Sequence, residues 1–120
     1  MNLRSIEADA LLLAYADAYA EPAAHDRGKL EAALLHPLTV AAAGAADIAD
    51  IAVAYMRGML EYAPFPRSNA QAGLLAMELF LLQNGWNITA PNEAQRQMMH
   101  RLEAGQCSDR EFADWLRLSL

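Results

Sequence analysis

Apolar residues recur roughly every three to four positions along most of the chain, the repeat of helices with one buried face. A first helix runs through Leu11, Leu12, Tyr15 and Tyr19. Ser5 is placed to cap it, Glu7 and Asp9 sit in its opening turn where the helix dipole favours negative charge, and it stops before Pro22. Asp26 caps a short second helix carrying Leu30, Ala33 and Leu34, which ends near His36 because the residue before Pro37 is pushed out of the helical region. Residues 38–46, rich in alanine and glycine, read as a mobile connection with at most a short extended piece. Asp47 then caps a third helix whose apolar positions are Ile48, Ile51, Ala52, Tyr55, Met59 and Tyr62.

Pro64 and Pro66 interrupt the pattern, and Ser68 with Gln71 has the Ser-x-x-Gln spacing of a capping box that starts a fourth helix. From Ala70 to Leu82 this helix is apolar almost all round, with Glu78 its one charge, so it is expected at the centre of the fold. Asn84-Gly85 supplies a left-handed C-cap. After a short connection from Trp86 to Ala90, Pro91 opens a fifth helix that buries Ala94, Met98 and Leu102 and stops at Gly105. Ser108 and Glu111 form a second capping box for a sixth helix, with Phe112, Trp115 and Leu116 on one face. The prediction is an all-α bundle of about six helices with a buried central helix, spanning residues 1–120 as a single domain.

Composition agrees with that reading. Hydrophobic residues make up 55% of the 120 residues, above the usual ~45–50%, and much of the excess is alanine, the strongest helix former. Valine occurs only at Val40 and Val53 and threonine only at Thr39 and Thr89, too few for a sizeable sheet. With Lys29 the only lysine, scattered arginines and a net charge of −6, no basic stripe exists to neutralise phosphates, which argues against nucleic-acid binding. No apolar run reaches the ~18 residues of a membrane span. The charges at Glu7, Asp9 and Asp17 argue against a signal peptide, and the lone Cys107 excludes an intramolecular disulfide, so a cytoplasmic location is expected.

Candidate chemistry is sparse. Cys107 precedes a helix cap that stabilises a thiolate, but no histidine is near it in sequence, and a small buried hydrophobe is the plainer reading. His25, His36 and His100 lie on separate segments without ligand spacing, so no metal site is expected. No Gly-x-Gly-x-x-Gly or Walker pattern occurs. The loop from Ala63 to Asn69 stands out because it leads into the N-terminus of the fourth helix, where exposed amides attract anions. Arg67, Ser68 and Asn69 are the anion-binding candidates there. Read from local physics alone, a proline-stiffened turn with an ordinary cap is the favoured account of the same residues.

Several segments together resemble the Doc (death-on-curing) branch of the Fic/Doc family. Asp26-Arg27-Gly28-Lys29-Leu30-Glu31-Ala32-Ala33-Leu34 with Pro37 is similar to that family's early Asp-x-Gly-x-Leu-Glu-x-Ala-Leu segment. Phe80-Leu81-Leu82-Gln83-Asn84-Gly85-Trp86 is similar to its Phe-Leu-x-x-Asn-Gly-aromatic stretch. Leu102-Glu103-Ala104-Gly105 with Trp115-Leu116-Arg117 resembles its C-terminal end. The resemblance places the family's central His-x-Phe-x-Asp/Glu-Gly-Asn-Lys-Arg motif on Ala63 to Gln71. It implies that the general-base histidine is replaced by Ala63, the magnesium-holding acid by Arg67, the glycine by Ser68, and the phosphate-binding lysine and arginine by Ala70 and Gln71. The anchoring phenylalanine is kept as Phe65 and the asparagine as Asn69.

Base, metal ligand and phosphate clamp are thus absent. General-base catalysis alone typically contributes ~10²–10⁴-fold, and phosphoryl transfer depends on charge neutralisation by metal and cations. Tyr62 and Glu61 are the adjacent groups able to accept a proton. Three readings follow. The first is a catalytically degenerate, toxin–antitoxin-type protein without cofactor, which binds a protein or peptide such as an antitoxin-like segment. The second is an atypical transferase that uses ATP and magnesium to modify a protein hydroxyl. The third is a homo-oligomeric scaffold.

Overall fold

The computed structural model describes residues 3–19 and 24–120. They form six helices and no strand: α1 (Ala8–Tyr19), α2 (Arg27–Ala42), α3 (Ile48–Tyr62), α4 (Asn69–Gln83), α5 (Asn92–Glu103) and α6 (Asp109–Arg117). The all-helical fold class and the number of helices agree with the apolar periodicity. The expected stop before Pro22 lies outside the described residues, and α1 is described as far as Tyr19.

Helix starts follow local chemistry where the cap residue is free to adopt extended backbone. Asp26 accepts from the Lys29 amide at 3.0 Å. Asp47 and Asp50 form a reciprocal capping box, as do Ser108 and Glu111. Gly85 takes up the left-handed conformation after α4 at φ 83°.

Two helix boundaries differ from the local expectation. Ser5 does not cap α1, which begins at Ala8. Its approach is held by remote groups instead. The Asn84 side chain accepts from the Arg4 amide at 2.8 Å and donates to the Arg4 carbonyl at 2.9 Å, and the Ile6 amide donates to the Tyr55 hydroxyl at 3.2 Å. These bonds hold the backbone of Arg4 and Ile6 against α4 and α3, ahead of the helix start at Ala8.

The second helix does not end at His36. It continues through Pro37 to Ala42, so residues 38–42 are helical rather than a mobile or extended connection, and only a short turn around Gly44 precedes Asp47. Proline inside a helix removes the bond to the carbonyl four residues back, here that of Ala33. Ala33 is fully buried, and α3 presses on it at Gly58, where a Cβ would stand 2.3 Å from the Ala33 carbonyl oxygen. The close contact between α2 and α3 made possible by Gly58 offsets the cost of Pro37.

The buried central helix is α3, not α4. Its buried residues run from Ala49 through Met59, and it packs against α2, α4 and α6. Gly73 of α4 lets that helix approach α3 closely, a Cβ there standing 3.0 Å from the Met56 Cα. On this side α4 buries Ala72, Ala76, Met77 and Phe80, the Phe80 ring lying 4.9 Å from that of Tyr55. Its other side is incompletely covered by α1 and α5: Leu74, Leu75 and Leu79 are only partly buried, and Leu82 is 57% exposed. Apolar composition all round a helix therefore did not bury it all round.

Candidate functional site

The loop between α3 and α4 is bracketed by two non-glycine residues in the left-handed region, Ala63 at φ 46° and Ser68 at φ 63°. Such backbone costs about 1–2 kcal/mol per residue and persists only where its surroundings hold it. The holding group is Phe65. Its side chain is buried and stacks on Tyr15 with centroids 4.8 Å apart and planes 8° from parallel, while the Pro64 carbonyl accepts from the Asp26 amide at 2.8 Å. The loop is thereby docked onto α1 and the start of α2.

The left-handed turn at Ser68 overturns the expected Ser68–Gln71 capping box. A capping serine needs extended backbone to turn its hydroxyl toward the helix amides; Ser68 occupies the cap position of α4 but makes no side-chain cap bond. Asn69 stabilises the turn instead. Its Oδ1 accepts from the Phe65 amide and its Nδ2 donates to the Phe65 carbonyl, both at 3.0 Å.

The anion-binding candidates consequently part company. Arg67 and Ser68 are exposed, but the Asn69 amide is committed to Phe65 at both ends. Of the remaining motif positions, Ala63 is exposed, Ala70 is buried against the core, and Gln71 is exposed at the end of a groove on α4. Glu61 and Tyr62 lie at the exposed end of α3.

Other sequence candidates are dispersed. Cys107 is buried, and burial pushes its thiol above the ordinary value, although Arg101 opposes the shift. A buried thiol of this kind is a poor nucleophile. Among the described residues no group of three or more His, Cys, Asp and Glu side chains is arranged to hold a metal ion. No helix of the described residues is long and apolar enough to cross a membrane.

Two concavities deserve comparison with the loop. The larger, about 620 Å³, lies between α2, α3 and α6 over a floor that includes Val40, Val53 and Ala54. It sits near Asp50, about 20 Å along α3 from Ala63 at roughly 1.5 Å per residue. Its carboxylates are largely engaged within the fold: Asp109 with Arg57 at 2.7 Å, and Asp50 with Arg117 at 3.0 Å.

The second concavity, about 320 Å³, lies on α4 between α1 and α5, with Tyr19, Gln71, Leu74, Leu75, Glu78 and Met99 among its lining residues. It adjoins the motif through Gln71. Glu78 is half-buried there, and burial raises its carboxyl above the ordinary glutamate value. The Tyr19 hydroxyl is raised as well, first by burial and then by Tyr15 and Glu78. Sequence reasoning noted Glu78 only as the single charge of an apolar helix. That isolation is the signal that points to it, because an unpaired carboxylate is costly on a face that is even partly buried.

No protein-family model and no curated protein matches the chain.

Proposed function

We propose that this protein is a catalytically degenerate, Doc-like binding module of toxin–antitoxin type, which acts in the cytoplasm by holding a protein or peptide partner rather than by transferring phosphate or AMP. The observation that carries this reading is the commitment of Asn69. In the motif that the chain resembles, Phe65 and Asn69 are the kept residues, and here they hold each other and the loop. The left-handed backbone at Ser68 is the conformation glycine adopts without strain, which fits the family glycine at that position. The positions assigned to the base, the metal ligand and the phosphate clamp offer a methyl group at Ala63, a cation at Arg67, a buried methyl at Ala70 and a neutral amide at Gln71. A loop with its anchor intact and no proton acceptor or metal ligand at those positions is suited to scaffolding.

Calorimetric titration with ATP, with and without magnesium, tests the absence of transferase chemistry. The reading expects no heat of binding in either condition. Magnesium-dependent binding would overturn it in favour of the transferase. The partner side is tested by co-expression with an antitoxin-like protein encoded beside the gene, for which a stoichiometric complex is expected. A chain that stays alone in that experiment, or that forms only concentration-dependent oligomers of itself, counts against the reading, the second result in favour of a scaffold.

A further inference from the structure

Gln71, Leu74, Leu75, Glu78 and Leu82 follow the i, i+3, i+4, i+7, i+11 spacing of one helix side. The groove of about 320 Å³ along this side continues past Glu78 as a smaller one of about 180 Å³ reaching Leu82, Trp86 and Ile88. From Gln71 to Leu82 the face is about 17 Å long, room for roughly three helical turns. Its far end is markedly apolar: Leu82 is 57% and Trp86 43% exposed.

Charge along the groove is unbalanced at one point. Arg96 lines it but is paired at 3.4 Å with Glu93 of its own helix. Gln71 and Asn92 are neutral, and the Gln95 amide is engaged with the Ala90 carbonyl at 2.9 Å. Glu78, midway along, has no hydrogen bond or ion pair among the described residues. A half-buried carboxyl without a counter-ion is destabilising to the free protein. It becomes favourable when a partner brings the missing cation into the same desolvated place.

Granted the protein-binding reading above, we propose that the outer face of α4, between α1 and α5, is the docking site for a basic amphipathic helix of a partner protein. A Lys or Arg of that helix reaches Glu78, and its apolar side chains cover Leu74, Leu75, Leu82 and Trp86. A small amine satisfies Glu78 but leaves the apolar stretch from Leu82 to Trp86 in water, whereas an apolar helix without a cation buries Glu78 unpaired. A basic amphipathic segment does neither.

The test titrates a labelled amphipathic helical peptide of leucine and lysine into the full chain by fluorescence anisotropy, with a leucine–glutamate peptide as comparison. Saturable binding of the lysine peptide alone is expected. Glu78→Gln should weaken it about tenfold or more, as loss of a charge-assisted hydrogen bond does. Leu75→Arg should abolish it, and Glu103→Gln, a neutralisation elsewhere on the exposed surface, should leave it unchanged. Glu78→Gln removes a half-buried charge, so it is expected to fold at least as well as the parent, and a thermal melt checks this.

Equal affinity for the parent chain and Glu78→Gln overturns the docking site while leaving partner binding itself standing. Failure of the lysine peptide to bind overturns the basic-helix inference. A self-association that Leu75→Arg abolishes assigns the face to a second copy and overturns it too. So does n-butylamine binding as tightly as the peptide, which assigns Glu78 to a small amine. Failure of the underlying non-catalytic reading shows separately, as magnesium-dependent binding of ATP.

Discussion

The two sides of α4 are both largely apolar and have different fates. On the inner side Ala72, Gly73, Ala76 and Phe80 meet α3 closely, with Gly73 against the Met56 backbone and Phe80 beside Tyr55. On the outer side, Leu74 and Leu75 are only partly buried, Leu82 is largely exposed, and Glu78 has no counter-ion among the described residues. Small residues explain the difference. Alanine and glycine permit two helix backbones to approach, so α3 and α4 seal one side, whereas the leucines opposite hold their neighbours at a distance and leave a groove. The inner side stabilises the fold; the outer side is left partly uncovered.

The contrast is sharpest under truncation. Phe80→Ala on the inner side should destabilise the protein by about 3–5 kcal/mol, and Leu82→Ala on the outer side by no more than about 0.5 kcal/mol, both read by chemical denaturation. Comparable losses would show that the outer side is packed after all. Gly58→Ala tests the neighbouring contact. Alanine is the better helix former, yet its methyl would meet the Ala33 carbonyl oxygen, so a loss of about 2–3 kcal/mol is expected, and a gain would mean that α2 and α3 readily move apart.

The loop gives a smaller pair of effects with opposite signs. Asn69→Ala removes both bonds to Phe65 and should cost about 1–2 kcal/mol. Ser68→Gly relieves left-handed backbone and should stabilise by up to about 1 kcal/mol. A neutral Asn69→Ala in thermal melts would remove the structural role assigned to that side chain.

The smallest expected effect concerns pH. The folded-state value of Glu78 is raised by burial, so the folded protein holds this proton more tightly than the unfolded chain does. Stability from this group is therefore fully present below the ordinary glutamate range and is lost as pH rises through the raised folded value. Glu111 acts oppositely: bonding to Ser108 lowers its value, so its contribution is present at neutral pH and lost on acidification. The difference between the parent and Glu78→Gln isolates the first effect. The variant should gain relative stability as pH rises from acid to neutral, and a pH-independent difference would mean that Glu78 titrates normally.

Two similar signatures show how far local reading extends. Ser108-x-x-Glu111 and Ser68-x-x-Gln71 both have capping-box spacing. Ser108 has extended backbone, φ −82° and ψ 165°, and the box forms. Ser68 is turned to φ 63° and ψ 33° by a loop anchored through Phe65, and no cap bond forms. The seven motif positions from Ala63 to Gln71 were legible as a loop entering a helix, and Phe65 as its anchor only through the family resemblance. The committed state of Asn69 was not, because a side-chain amide that serves a nearby backbone and one that serves a ligand look alike in sequence.

The helical class, the six apolar stretches and the caps at Asp26, Asp47 and Ser108 follow from interactions between residues a few positions apart, which the order of amino acids specifies directly. The approach to α1 held by Asn84 and Tyr55, α2 passing through Pro37 against Gly58, and α3 taking the central place depend on residues that meet only after the chain has folded. Glu78 belongs to both levels. Its isolation within an apolar helix is visible in the sequence, but the incomplete cover of α1 and α5 decides that it lines an open groove rather than a closed core.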